Sequence, residues 1–204
     1  MPAPIRLYRS KLSGHAHRVE LLLSLLALPV ELVDVDLRAG AHKTPAFLAK
    51  NPFGQVPVIE DGDVTLADST AILVYLALRY DKTGRWLPRE PVAAAAVQRW
   101  LSVASGELAA GPNAARLATL FGAPIDVERA RQIATVLLAR LDAHLATRPF
   151  LVGDGATIAD VALYAYTALA PEGGVALEPH ANVCAWHARI EALPGFVPMH
   201  RMAA

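Results

Sequence analysis

Two short stretches carry residue types that could grip a small charged molecule. Asp68-Ser69 set a carboxylate and a hydroxyl immediately before Ile72, Leu73, Leu76 and Tyr80, apolar residues at helical spacing. They read as a helix N-terminus. The unpaired amides of a helix start can hold an anionic carboxylate, and Asp68 can hold an amine. Earlier in the chain, Val56-Pro57-Val58-Ile59 is a short apolar run with little charge. Pro57 removes a ladder donor, which belongs at an edge or a bend. The bond before it is a candidate for the cis form, which the sequence leaves open. Val56 is then left with an N–H and a C=O able to pair with an extended peptide. An edge for a peptide backbone, beside a pocket for an amino acid's two charged ends, describes a site for a small peptide. The plainer alternatives are an ordinary edge strand and an ordinary helix cap.

Other chemistry-bearing residues point elsewhere or nowhere. In a helix, His15 and His17 face apart, and no Cys, Asp or further His stands at ligand spacing, so no metal is expected. Both read as surface or interface histidines. His144, His180, His187 and His200 are isolated and read as solvated or capping. Trp100, Tyr164, Tyr166 and Trp186 lie in helical stretches and read as core or interface. The 19 basic residues equal the 19 acidic ones, which leaves no electrostatic footprint for nucleic acid or an anionic membrane. Cys184 is alone, so no intramolecular disulfide can form and a cytoplasmic setting is expected. The start, MPAPIRLYRS, lacks an apolar signal core. The most apolar run, Val19 to Val30, is too short to span a bilayer.

The elements that must position these residues can be read in order. Ile5 to Tyr8 is a strand, and a helix follows from about His15 to Ala27, with Val19, Leu22, Leu23 and Leu26 on one face. Val30 to Asp36 alternates as a strand should. Pro45 to Ala49 is a short helical turn. Val56 to Ile59 and Val64 to Leu66 form a hairpin, with Asp61-Gly62 supplying its positive-φ positions. The helix after Asp68 completes a βαβ-α-ββα order, which is thioredoxin-like, with a right-handed crossover in its first unit. Residues 82–91 are rich in prolines and turn residues and read as a linker between a domain at 1–81 and another at 92–204. Beyond it every strong signal is helical: Val92 to about Ala110, Asp126 to Thr147, Ile158 to about Leu169, and Asn182 to Leu193. Gly111-Pro112 bends or ends the first of these. Thr157-Ile158-Ala159-Asp160 reads as a capping box. The fold class is an α+β domain followed by an all-α domain.

The stretch NPFGQVPVIEDGDVTLADSTAI, with Ala41-His42-Lys43-Thr44-Pro45 before it, resembles the glutathione-binding half of the cytosolic glutathione transferases. The His-Lys-Thr-Pro segment is similar to that of the phi-like branch. Asp68 stands where many members carry Glu. The helical second half with its Thr-x-x-Asp box extends the resemblance over nearly the whole chain.

The resemblance implies a glutathione site and a thiolate reaction. A thiol near its usual pKa is only about 3% ionised at pH 7. In serine-type branches the active serine lies five residues after the tyrosine of the first strand, which here is Ser13 after Tyr8; Ser10 and Tyr8 itself are rivals. Gly14 sits where the beta-type branch carries cysteine, which disfavours a mixed disulfide. The resemblance assigns the backbone of Val56, held by Pro57, to the cysteinyl part of glutathione. It assigns Gln55, Lys43 and His42 to the rest of the backbone and the glycyl carboxylate, and Asp68 and Ser69 to the γ-glutamyl end. It implies a homodimer, no metal, and an electrophile pocket bounded by Arg9, Leu12, Asn113 and Arg116. The expected activity is conjugation of glutathione to hydrophobic electrophiles. The alternatives are a non-catalytic binding or assembly module of the same fold, and a glutathione-dependent isomerase or dehalogenase.

Overall fold

Alternation along the first strand decides how the N-terminal half is layered. In β1 (Ile5–Arg9), Ile5 and Leu7 are buried, and Tyr8 points to the other side of the sheet. The computed structural model, which describes residues 3–202, places β1 inside a four-stranded sheet of order β2-β1-β3-β4. β2 (Val30–Asp34) runs parallel to β1. β3 (Val58–Asp61) and β4 (Val64–Ala67) form an antiparallel hairpin, and β3 pairs antiparallel with β1. Leu7 stands opposite Ile59, and Tyr8 opposite Val58.

Each face of this sheet has its own cover. α1 (Gly14–Leu25) and α3 (Ser69–Tyr80) pack on one another. They bury Val19, Leu22 and Leu23 with Ile72, Leu73 and Leu76, on the side of Leu7 and Ile59. Burying each such side chain contributes about 1.5–3 kcal/mol. On the other face the one-turn α2 (Pro45–Leu48) inserts Phe47 between Val35 and Val58. The Tyr8 ring meets Phe47 edge-on, with centroids 6.3 Å apart.

The hairpin differs from the sequence expectation in two places. β3 begins at Val58, not Val56, because Pro57 has no N–H to give to a ladder. The Val56–Pro57 bond is cis. The turn is Gly62-Asp63, since Asp61 still pairs with Val64. Only Gly62 there has a positive φ, of 60°, so Asp61 is not a turn residue. Instead its Oδ2 accepts from the hydroxyls of Tyr75 and Tyr80, both at 2.7 Å, and anchors the hairpin to α3.

The chain divides into two compact units. Among the described residues, one holds 3–82 together with 194–202; the other is Thr83–Leu193. The tail was expected to lie with the second domain. It packs along α1 instead: Ser24 Oγ donates to Gly195 O at 2.7 Å, and His17 Nε2 bonds Val197 O at 2.9 Å.

The second unit is helical throughout its regular structure. α4 (Pro91–Ser105) starts on Glu90, whose carboxylate takes the Val92 and Ala93 amides. It ends earlier than expected. The chain then passes through a π-helical turn, Ala109–Asn113, into α5 (Ala114–Phe121). Pro112 sits inside that turn; it cannot donate to an α-helical carbonyl, and a widened turn accommodates it. Gly111 packs so closely on α6 (Val127–Leu145) that a Cβ would lie 2.8 Å from Ala134 N. α7 (Ile158–Ala168) is buried at every residue, and α8 (Ala181–Glu191) packs on α6 and α7.

The expected capping box at Thr157 is present, and it is larger than a cap. Asp160 is fully buried. Its carboxylate accepts from Leu151 N (3.0 Å), Thr157 N (2.8 Å), Thr157 Oγ1 (3.1 Å) and Trp186 Nε1 (2.9 Å). One side chain therefore joins the 149–157 loop, α7 and α8. Removing it orphans several buried donors at about 1–3 kcal/mol each. Asp160→Ala is expected to lose about 3–5 kcal/mol of unfolding free energy. Urea titration measures this; a loss under about 1 kcal/mol would mean that the donors find other partners.

Candidate active site

Two helix starts meet on the first unit. α1 begins at Ser13, whose Oγ accepts weakly from Ala16 N at 3.3 Å. As an acceptor there, the hydroxyl keeps its hydrogen, and no described residue takes it. α3 begins at Asp68, whose Oδ1 accepts from Thr70 N, Ala71 N (both 2.9 Å) and Thr70 Oγ1 (2.6 Å). Asp68 holds a φ of 73°, a conformation side-chain-bearing residues rarely adopt. Such a position persists only where the surroundings over-determine it, and three bonds to one oxygen do so here.

Ser69 follows, 4% exposed. Arg18, 1% exposed on α1, donates Nη1 to Ser69 Oγ at 3.1 Å and to His15 Nδ1 at 3.0 Å. His15 Nδ1 is also 3.4 Å from Ser69 Oγ. Since a guanidinium only donates, Nδ1 is the bare nitrogen of His15. The His15–Ser69 contact places the first turn of α1, two residues past Ser13, against the first residue of α3.

The peptide edge is held from below. Val56 N–H and C=O enter no hydrogen bond among the described residues. Asn51, 4% exposed, donates Nδ2 to Gln55 O at 2.9 Å and accepts from Phe53 N at 3.1 Å. Lys43 Nζ reaches Phe53 O (3.4 Å) and Gly54 O (3.3 Å). Gly54 has φ 58°, and a Cβ on it would lie 2.8 Å from His42 O and 2.9 Å from Lys43 Nζ. The 41–43 turn and the 51–57 loop are therefore interlocked, with Gln55 exposed on their rim.

The rivals to Ser13 are placed differently. Tyr8 Oη donates to Glu60 Oε2 at 2.9 Å, with Lys50 on the same carboxylate and over the ring. That hydrogen is already committed. Ser10 lies on a cleft of about 470 Å³ floored by Arg9, His17 and Glu20 and walled by the tail from Pro198 to Arg201. Arg9 is bound to Asp34 at 3.1 Å and to Glu20. Leu12 is a half-buried loop residue. In the second unit, Asn113 closes the π-helical turn, and Arg116 is 1% exposed and paired with Glu172.

Two of the residues that shape this site, Arg18 and His15, escape a reading by motif, and Asn51 opens the quoted motif without a role assigned to it. A signal existed for the first two. His15, Arg18 and Leu22 recur at i, i+3 and i+7, the inner stripe of α1. The expectation that His15 and His17 are surface or interface histidines is corrected, because both are covered within the chain itself: His17 is 4% exposed and His15 half-buried. His187 is also buried, bonded to Thr167 Oγ1 at 2.8 Å between the rings of Tyr164 and Trp186. Trp100, Tyr164, Tyr166 and Trp186 are core residues as expected. Among the described residues, no cluster of His, Cys, Asp and Glu could hold a metal.

Residues 3–78 match the family model described as the glutathione S-transferase N-terminal domain, and residues 119–194 match the C-terminal one. Glutathione S-transferase 3 of Zea mays is 41% identical over 209 residues, covering 95% of this chain and 92% of that protein. The chain belongs to the glutathione S-transferase family. The crystal structure of a glutathione S-transferase from Pseudomonas fluorescens is 34% identical, with a TM-score of 0.91 over 97% of this chain and 99% of that one. A glutathione transferase homolog from Drosophila mojavensis, solved with bound glutathione, is 29% identical, with a TM-score of 0.83 over 94% and 89%. Glutathione S-transferase theta-2 of Homo sapiens is 30% identical over 94% of this chain and 82% of that one.

The site's electrostatics make a prediction for this transferase. Burial, then the Arg18 charge, push the His15 pKa from the ordinary 6.5 down to about 3, against a smaller upward pull from Asp68. Burial also lowers that of His17. For Asp68, burial pushes upward, but bonds from the Thr70 hydroxyl and the Ala71 and Thr70 amides outweigh it and leave the carboxyl below its usual range. Below pH 6.5 the unfolded chain therefore takes up protons at both histidines that the folded chain refuses. Stability falls as the pH drops from 6.5 towards 3. Denaturation midpoints should decline on acidification from about pH 7 to about 4.5, and His15→Gln should flatten that slope. Parallel slopes in the two proteins would remove His15 from the account.

Proposed function

We propose that this transferase conjugates the thiolate of glutathione to hydrophobic electrophiles, with Ser13 as the thiolate-stabilising hydroxyl. The observation that carries this reading is the convergence of two helix starts beside an unpaired strand edge. Val56 would pair with the cysteinyl backbone of the tripeptide. Asp68 would hold its α-amine, and the hydroxyl and amide of Ser69 its γ-glutamyl carboxylate. His42, Lys43 and Gln55 would line the glycyl end, Lys43 also bracing the loop. That leaves the sulfur towards the start of α1.

Lowering a thiol pKa by about two units requires about 2.7 kcal/mol of selective thiolate stabilisation. A hydroxyl bond to a charged acceptor supplies about 1.5–3 kcal/mol, and a helix N-terminus about 0.3–1. The Ser13 hydrogen and the α1 dipole together reach that figure. Positioning of the electrophile supplies the rest of the rate by removing the entropy of encounter. Arg9, Leu12 and Asn113 are the residues we propose for the electrophile side; Arg116, expected there as well, is 1% exposed and tied to Glu172, so it does not line a pocket. We also propose a homodimer: Phe53, 80% exposed, and Leu78, 60% exposed, are large apolar side chains on the first unit that an interface would cover. A cytoplasmic setting fits the lone Cys184, and no helix is long and apolar enough to cross a membrane among the described residues.

Ser13→Ala should raise the thiol pKa of bound glutathione by about one to two units and leave its affinity within about twofold. Ultraviolet titration of the thiolate reads this directly, and superimposable curves would discard Ser13 as the donor. Asp68→Asn preserves the capping oxygen and removes the charge. It should weaken glutathione binding by about tenfold or more. Calorimetry giving an unchanged Kd would discard the amine assignment. Turnover of an aromatic halide tests the activity as a whole.

A further inference from the structure

A serine hydroxyl has one hydrogen and two lone pairs. At Ser69, Arg18 Nη1 fills one lone pair from 3.1 Å. A guanidinium has no acceptor, so the Ser69 hydrogen must turn away from it. The described acceptor nearest to hand is His15 Nδ1, at 3.4 Å. That is long for a hydroxyl donor, and the same nitrogen already accepts from Arg18 Nη1 at 3.0 Å. The hydrogen is thus weakly held, and a carboxylate at the α3 start would offer it a shorter, charge-assisted bond. Arg18 and Ser69 are both buried, so the arrangement exists before any ligand arrives. The Arg18 charge is permanent at every working pH.

We propose that Arg18 is a positioning residue for the γ-glutamyl carboxylate of glutathione: lodged between Ser69 and His15, it turns the Ser69 hydroxyl towards that carboxylate and sets a positive charge behind the helix start. The inference deepens the glutathione reading of the site and rests on it. Arg18 touches no reacting atom; it acts through Ser69. His15 serves as the second prop, because its bare Nδ1 holds Nη1 in place. The consequence is selectivity for one end of the tripeptide. Arg18 should matter for a ligand that carries the γ-glutamyl group and be almost silent for one that lacks it.

The test compares glutathione with cysteinylglycine, which is the same molecule without that group. Dissociation constants for both are measured by competition against a glutathione conjugate, in the parent and in Arg18→Gln. The variant should raise the Kd for glutathione by at least about tenfold and that for cysteinylglycine by less than about twofold. KM for glutathione should rise while kcat at saturation stays within about threefold. A general loosening of the fold would weaken both ligands alike, and that result, or no change for either, overturns the proposal. If Arg18→Gln does not fold, nitrogen NMR of the unaltered protein decides. Glutathione should shift the Arg18 guanidinium and His15 Nδ1 signals, and cysteinylglycine should leave them in place; equal responses overturn the proposal. A parent protein that binds no glutathione brings down the reading of the site and this inference together. A parent that binds it, with equal losses in the variant, removes this inference alone.

Discussion

A helix start carries roughly half a positive charge, and this fold brings two of them within reach of one buried guanidinium. Arg18, one turn into α1, reaches back to His15 in the first turn and across to Ser69 on α3. Gathering that much positive character in a place with little water raises the value of any negative group nearby. Asp68 meets part of the demand from inside the protein, with Oδ1 spread over two amides and a hydroxyl. Its backbone is bent to φ 73° in doing so. A ligand carboxylate would meet more of it. In the reading proposed above, affinity for an anion would come from the way α1 and α3 pack around Arg18.

The other half of the site depends on a different constraint. The 51–57 loop has to present an unpaired edge at Val56 without collapsing onto it. Asn51 supplies the internal frame, substituting side-chain bonds for the ladder bonds that Pro57 forbids. Gly54 allows the 41–43 turn to lie against the loop, since any side chain there would strike His42 O and Lys43 Nζ. The floor beneath is apolar, with Phe47, Val58 and Val35 packed under Tyr8 and Val56. A rigid edge and a polarised helix start are what a small extended peptide requires if its one reactive atom is to be held still.

Much of this was legible in the chain itself, for identifiable reasons. The strands and helices of the first unit follow short-range patterns, such as the alternation through Leu7 and Tyr8 and the spacing of Ile72, Leu73 and Leu76. The Thr157–Asp160 box declares itself by residue type. Harder to see were features set by contacts distant in sequence. Arg18 looks like a solvated charge until α3 arrives to cover it. His15 and His17 looked exposed because a two-residue spacing says nothing about what packs on either side. Pro112 read as a bend or an end, and which of the two was settled by the π-helical turn that carries the chain past it into α5. Asp61 read as a turn residue, and two tyrosines from α3 made it an anchor.

The tail has a consequence for the order in which this molecule can be completed. The first unit is discontinuous: its last pieces, Gly195 and Val197, are laid on Ser24 and His17. During synthesis those residues leave the ribosome only after the entire helical unit has emerged. The part of the protein made earliest is thus finished last, and in the interval the outer side of α1 waits uncovered. A nascent chain that stalls before Pro194 would present that side to chaperones and proteases, so quality control has a natural signal for incomplete copies.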